Sequence, residues 1–250
     1  TIYTSIVYNK NLYLGTNQGL FYRNIESKDT FQLIKNTQGQ VWSLSQIDGA
    51  LFCGHDSGTF LIEKNQAKQI FDKQGTWNVK KINDSTLLQG CYDGLYVLEK
   101  KNQTWELKNK IRGFENSSKH LVLWNNKIFV NHEYKGVFKL DVDARYTKIN
   151  KVEKDVSLEK GVHSSILKYQ NKILYASKKG VFVYDEIIDS FKKDTVYSSL
   201  IDADNFISAK LIHDPVKNRL WSFTKEQIRY LAPGKLSNKP KVNSISISEY

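Results

Sequence analysis

The chain has no methionine, only 3 prolines and 2 cysteines, and no apolar run approaching bilayer-spanning length. Each shortage excludes something. Two cysteines cannot supply the disulfide framework of a small secreted domain. Cys53 and Cys91 form one bridge or remain thiols; their places in different repeats, on strands expected to be buried, favour free core thiols. Their number fixes no redox compartment. With 3 prolines and 14 glycines, most turns must be made by Asn, Asp, Lys and Ser. No signal-peptide pattern is visible. A chain that starts at Thr1 and contains no methionine reads as a piece of a longer protein, with targeting and anchoring segments elsewhere.

Hydrophobic residues make up 40% of the 250, enough for a core. The 14 Tyr, 12 Phe and 5 Trp, with abundant Val, Ile and Thr, suit strands better than helices. The formal net charge of +11 would attract an anionic partner. The lysines are scattered, however, without the dense basic run of a nucleic-acid arm. A solvated lysine surface is the favoured reading, and direct nucleic-acid binding is not expected.

The informative feature is a repeat. Asn11-Leu12-Tyr13-Leu14-Gly15-Thr16, closed by Gly19-Leu20-Phe21, has counterparts beginning at Ala50, Thr86, Lys127 and Lys172, and a worn one at Arg219. The turn glycines are Gly19, Gly58, Gly94, Gly136 and Gly180; Gln227 takes that place in the last copy. Spacings of 36 to 47 residues match a four-stranded propeller blade and exceed a leucine-rich repeat. In the second copy Val41–Ile47, Leu51–His55, Thr59–Glu63 and Ala67–Phe71 read as successive strands around Asp48-Gly49 and Asp56-Ser57-Gly58 corners. The turn glycines are expected at positive φ. Apolar pairs such as Leu12/Leu14 and Leu20/Tyr22 are expected to fill the layers between blades.

The fold expected is all-β: a β-propeller of four-stranded antiparallel blades. Six blades fall at approximately 1–38, 39–75, 76–114, 115–158, 159–203 and 204–250. They close a six-bladed ring or form part of a seven-bladed one. Lys241 to Tyr250 is a closing strand or the approach to a further domain.

No motif for catalysis is present: no Gly-x-Ser-x-Gly elbow, no phosphate loop and no His-Glu-x-x-His. The histidines His55, His120, His132, His163 and His213 read as structural or surface residues rather than a metal set. Asp56, Asp93 and Glu133 occupy turns after second strands. Turn acids are common for local reasons, so a sugar-cleaving carboxylate pair is the disfavoured reading. No catalytic residue, metal or cofactor is expected.

Propellers bind ligands where the segments leading into the inner strands meet the turns between second and third strands. Aligning the copies on the Gly15 column puts Tyr3, Trp42, Asn78, Lys119 and Ser164 at one position near the channel mouth, with Trp77 one residue earlier. Aromatics, a lysine and an amide suit a small molecule, glycan or peptide. Core packing between inner strands is the competing reading for Trp42 and Trp77.

The Asn11–Thr16 string followed by Gly19-Leu20-Phe21 resembles the two-component-regulator propeller repeat, roughly N-L-W-I-G-T-x-x-G-L-Y-x-Y-D. The tail of that pattern appears as Val181-Phe182-Val183-Tyr184-Asp185 and Val137-Phe138-Lys139-Leu140-Asp141. Longer strings resemble the sensor propellers of Bacteroidetes triple-tyrosine regulators: Gly39-Gln40-Val41-Trp42-Ser43-Leu44, Leu51-Phe52-Cys53-Gly54-His55, Gly75-Thr76-Trp77 and Val130-Asn131-His132-Glu133-Tyr134-Lys135-Gly136. The resemblance covers nearly the whole chain. It implies a periplasmic, ligand-sensing module of a membrane-bound transcription regulator or two-component-like protein. In that family a triple-tyrosine domain, a membrane span and a LuxR-type helix-turn-helix follow the propeller; none is complete here. The membrane would be met only through segments outside this chain, and self-association would belong to the full-length protein. The alternatives are a polysaccharide hydrolase or lyase, and a passive protein-interaction scaffold.

Overall fold

The computed structural model describes residues 1–232 and 240–247. The chain is a β-propeller of six four-stranded antiparallel blades, each made of consecutive strands. Among the described residues no helix is long and apolar enough to cross a membrane.

The chain divides into two compact units. The first is Thr1–Lys119 with Asp141–Lys151. Its first blade is β1 (Ile2–Tyr8), β2 (Asn11–Thr16), β3 (Leu20–Asn24) and β4 (Gln32–Leu33). The second is β5 (Val41–Ile47), β6 (Ala50–His55), β7 (Gly58–Glu63) and β8 (Gln66–Phe71). The third is β9 (Thr76–Asn83), β10 (Thr86–Cys91), β11 (Gly94–Lys101) and β12 (Thr104–Lys110). The second blade thus follows its sequence reading to within a residue at each strand end.

The second unit is His120–Leu140 with Val152–Tyr250. The fourth blade comprises β13 (His120–Trp124), β14 (Lys127–His132), β15 (Gly136–Val142) and β16 (Ile149–Lys154). The fifth comprises β17 (Ser165–Tyr169), β18 (Lys172–Ser177), β19 (Gly180–Asp185) and β20 (Ser190–Asp194), followed by the one-turn α1 (Thr195–Ser198). The sixth comprises β21 (Ile212–Asp214), β22 (Arg219–Phe223), β23 (Gln227–Ala232) and β24 (Lys241–Ser246). The C-terminal segment therefore supplies the outer strand of blade six; residues 248–250 of the expected closing segment lie outside the described residues.

The tip of the fourth blade's outer hairpin joins the first unit for a local reason. Arg112 N–H donates to Thr147 O at 3.0 Å, and Ile149 N–H donates to Arg112 O at 2.8 Å. Asn109 Nδ2 adds a bond to Tyr146 O at 2.9 Å.

Turn chemistry follows the composition. The glycines at 19, 58, 94, 136 and 180 all have positive φ, between +96° and +138°. Where glycine is scarce, ordinary residues take the strained conformation: Asn9-Lys10, Lys64-Asn65 and Asn102-Gln103 have both φ values positive. That is the two-residue hairpin geometry, whose twist matches the strands. The worn sixth copy still closes its turn. Thr224 N–H and Oγ1 both donate to Gln227 O at 2.9 and 3.2 Å. Thr16 does the same to Gly19 O at 3.0 and 2.9 Å.

Cores lie between blades. In the first unit one layer joins Tyr13, Leu20, Leu51, Cys53 and Phe60, and the next joins Phe52, Phe71, Leu87, Cys91 and Leu98. Alternation along β6 sends Leu51 and Cys53 to one layer and Phe52 to the other. In the first blade the expected pair Leu20/Tyr22 does fill the first of these layers, Leu20 buried and Tyr22 half-buried against it, but alternation puts Tyr13 there in place of Leu12 and Leu14, which are half-buried. Cys53 and Cys91 are free, buried, and in different layers. In the second unit, Phe129, Ile173, Tyr175 and Phe191 fill one layer, and Leu174, Val181, Leu200 and Leu220 another.

Candidate functional site

The start of each inner strand in the first unit carries a β-bulge. Register shifts between Ile2 and Thr4 on β1, and between Val41 and Ser43 on β5. On β9, Asn78 pairs with Gly90 and Thr76 with Cys91, which leaves Trp77 between them. The extra residues are Tyr3, Trp42 and Trp77. A bulge re-aims the side chain it carries, and here it does so three times at the same register.

This corrects one sequence assignment. Asn78 pairs with the column glycine Gly90, as Thr4 pairs with Gly15 and Ser43 with Gly54. Trp77, not Asn78, is the equivalent of Tyr3 and Trp42. The cause is a second bulge on β9. Asn83 pairs with Thr86 and Lys81 with Leu87, so Ile82 is an additional residue.

The three rings form a row. Tyr3 and Trp42 have centroids 4.9 Å apart, and Trp42 and Trp77 4.8 Å, with planes tilted by 44° and 43°. Tyr92, in the turn between β10 and β11, extends the row at 4.9 Å from Trp77. The indoles are held by hydrogen bonds. Trp42 Nε1 donates to Tyr92 Oη at 2.8 Å, and Trp77 Nε1 donates to Ser117 Oγ at 2.9 Å. Both rings are half-exposed, so they are neither sealed core nor loose surface side chains. Burial pushes the Tyr92 hydroxyl above its ordinary value, against the lowering effect of the Trp42 bond. It therefore stays a donor at neutral pH.

Lys119 is exposed, with Nζ 5.5 Å from the Trp77 ring centre. This is cation–π distance. Asn78 lies beneath. Its Nδ2 donates to Ser118 O at 3.3 Å and to Lys119 O at 2.5 Å. Two carbonyl partners fix the amide's orientation. Its Oδ1 is buried with no hydrogen-bond partner among the described residues.

Five of the six expected residues thus gather in the first unit: Tyr3, Trp42, Trp77, Asn78 and Lys119. Ser164 lies in the second. It is 1% exposed, and its hydroxyl is 3.0 Å from Asn131 Nδ2 as acceptor. Tyr92 and Ser117 went unnamed in the sequence reading. Tyr92 occupies the turn position held by Asn17 and Asp56 in the first two blades, so no repeated aromatic marked it.

The turn acids have local partners. Asp93 Oδ2 accepts from Tyr96 Oη at 2.9 Å and from Lys110 Nζ at 2.7 Å. Asp56 instead lines an open depression of about 420 Å³, together with Gln38, Ser57, Asp72 and Gln74. His55, 1% exposed, places Nε2 3.2 Å from Thr37 O and accepts at Nδ1 from Ser57 N–H at 3.0 Å. It is a tied core residue.

No family model matches the chain, and none of the curated proteins matches it. Solved structures do. The extracellular domain of BT4673, described as a hybrid two component system of B. thetaiotaomicron, superposes with a TM-score of 0.67 at 16% identity. The match covers 100% of this chain and 33% of that one. PorZ, a surface component of the type-IX secretion system of Porphyromonas gingivalis, gives 0.64 at 13% identity, over 98% of this chain and 33% of its own. The WD40 β-propeller domain of Doa1 gives 0.60 at 12%, over 96% and 76%. The chain spans about a third of the length of the first two. At these identities the likeness is one of fold.

Proposed function

We propose that this chain is the ligand-sensing propeller of an extracytoplasmic signalling protein, and that it binds its ligand at the aromatic row without chemistry. One observation carries the reading. Tyr3, Trp42 and Trp77 occupy the same bulged position in three blades, and both indoles are locked by hydrogen bonds while still half-exposed. Aromatic faces fixed in advance lose little conformational entropy on binding. The likeness to an extracellular domain of a two component system supports the sensory role by fold analogy.

In this reading the ligand favours one of two states of the full protein, and the signal is the difference in its affinity for them. The output is regulation of transcription, the placement is periplasmic, and the membrane is reached through segments outside these residues. The hydrolase or lyase alternative has no comparable support, since Asp93 is committed to Tyr96 and Lys110.

The test is a titration of neutral saccharides and short peptides, followed by tryptophan fluorescence and calorimetry. Trp42→Ala and Trp77→Ala should each weaken binding at least about 30-fold, the loss expected of an aromatic anchor worth ~2 kcal/mol. Trp42→Phe should retain most of the affinity. If compounds bind equally well to all three variants, with circular dichroism unchanged, the row is not the site.

A further inference from the structure

The site changes sign across Tyr92. On one side Lys119 holds its ammonium over Trp77. On the other lies the depression of about 420 Å³, whose lining of Gln38, Asp56, Ser57, Asp72 and Gln74 includes two carboxylates and no cation. The two sides are fastened together through one residue. Gly75 N–H donates to Asp56 O at 2.7 Å, and Gly75 O accepts from Tyr92 N–H at 3.0 Å.

The charges of the depression are only lightly matched. Among the described residues no lysine or arginine is paired with Asp56; its Oδ1 stands 2.7 Å from His55 Nδ1, which already accepts from Ser57. Asp72 meets its neighbour Lys73 at 3.7 Å, and that lysine is 57% exposed. An exposed pair of this kind contributes little. The row itself has spent its indole donors on Tyr92 and Ser117. What it still offers a ligand is aromatic faces and the Tyr92 hydroxyl, which accepts from Trp42 and keeps its own proton to donate.

We infer that this site takes a short peptide, with its basic end over Asp56 and Asp72, its apolar middle on Trp42, Trp77 and Tyr92, and its carboxylate at Lys119. The inference rests on the binding role proposed above and adds the ligand class. From Tyr92 to Trp77 is 4.9 Å, and from Trp77 to the Lys119 ammonium 5.5 Å. From the Tyr92 ring to the ammonium, the path is spanned by at most about three extended residues at ~3.3 Å each. A purely anionic ligand would meet the carboxylates, and a purely cationic one would meet Lys119. A neutral saccharide would use the rings and gain no ion pair at either end. Complementary charge at the two ends also fixes which way round the ligand lies.

The experiment titrates the tripeptide Lys-Leu-Glu by calorimetry, and beside it the uncharged acetyl-Leu-Leu-Gln-amide. Both go into the wild-type chain, Asp56→Asn and Lys119→Gln. These are turn and strand-lead positions outside the core, and circular dichroism checks that each variant is folded. Each substitution should lower the affinity for Lys-Leu-Glu about tenfold more than it changes that for the uncharged peptide. Equal affinity for the two peptides, no effect of either substitution, or no tripeptide binding at millimolar concentration overturns the inference. If instead cellotriose binds, loses affinity in Trp42→Ala, and ignores Asp56→Asn and Lys119→Gln, the peptide inference fails while the aromatic row stands as a binding site.

Discussion

The ring of Tyr92 rests on the bare Cα of Gly75. A Cβ placed on Gly75 would stand 2.1 Å from Tyr92 Cγ and 2.3 Å from both Cδ atoms, and the residue has a φ of +76°. Glycine is needed there twice over, for the conformation and for the space. Tyr92 in turn accepts from Trp42 and packs on Trp77, so Gly75 touches the row through Tyr92. Gly75→Ala should destabilise the fold by about 2–4 kcal/mol, from left-handed strain and overpacking together. It should also weaken the near-ultraviolet circular dichroism of the coupled rings. Denaturant unfolding and the aromatic spectrum measure the two effects. An unchanged spectrum in the variant would mean that Gly75 does not position Tyr92.

How much of this was legible in the sequence depends on how local each feature is. Turn glycines and strand alternation are local, so the blade from Val41 to Phe71 could be read nearly strand by strand. A bulge is not announced by residue type. Ile82 fits an alternating strand, yet it is the additional residue that shifts Trp77 into line with Trp42. Tyr92 was hidden for a different reason: its role depends on contacts with residues 50 and 15 positions away, Trp42 and Trp77. Ser164 shows the reverse limit. Its register matches Lys119, since Ser165 pairs with Ala176 as His120 pairs with Asn131, but its hydroxyl is turned into the second unit's interior.

The two thiols should be inert in the folded protein. Cys53 and Cys91 have no exposed surface. Burial pushes Cys91 up to about 12, and Cys53 higher still. At pH 8 the Cys91 thiolate is then about one part in ten thousand of the total, and the thiolate is the reacting species. A disulfide reagent should label neither cysteine in the native protein and both in denaturant. Native labelling faster than unfolding would show that one of them is accessible.

Acid should loosen the Asp141–Lys151 hairpin tip, which lies against blade three inside the first unit. Asp143 Oδ1 accepts from Thr147 N–H at 2.6 Å and Lys148 N–H at 2.9 Å, and Oδ2 accepts from Thr147 Oγ1 at 2.8 Å. The backbone N–H of Lys148 leads these bonds in holding the carboxyl down to about 2. An unfolded aspartate titrates near ~3.9. The stabilisation is therefore complete above about pH 4 and is lost as the pH falls from ~4 towards ~2. Asp143→Asn keeps an acceptor for the N–H groups but cannot titrate. Between pH 4 and 2 the melting temperature of the wild type should fall more steeply than that of the variant. Parallel curves would place the acid sensitivity elsewhere.

The most sensitive ionic position should be Lys139, in the second unit. Its side chain is only 8% exposed. Nζ donates to Asp189 O at 2.8 Å, stands 3.0 Å from Asp189 Oδ2, and lies 3.7 Å from Asp155 Oδ2, whose side chain is 2% exposed. Tyr184 donates to the other Asp189 oxygen. Burial pushes Asp189 up, but the Tyr184 hydroxyl and the Lys139 ammonium outweigh it and hold the carboxyl below its usual range. Removing the lysine would leave Asp155 buried with, among the described residues, only Ser157 as partner of its side chain, through the Ser157 N–H at 2.9 Å and hydroxyl. A buried charge stripped of its partner costs about 3–5 kcal/mol. Lys139→Met should destabilise by that amount, whereas Lys139→Met with Asp155→Asn should recover a large part of it, because the buried Asp155 charge is then gone and Asp189, 43% exposed, keeps Lys127 at 3.7 Å. Urea unfolding of the two single variants and the double variant closes the cycle. If Lys139→Met costs less than about 1 kcal/mol, the scale of an exposed pair, the lysine neutralises nothing that burial makes expensive.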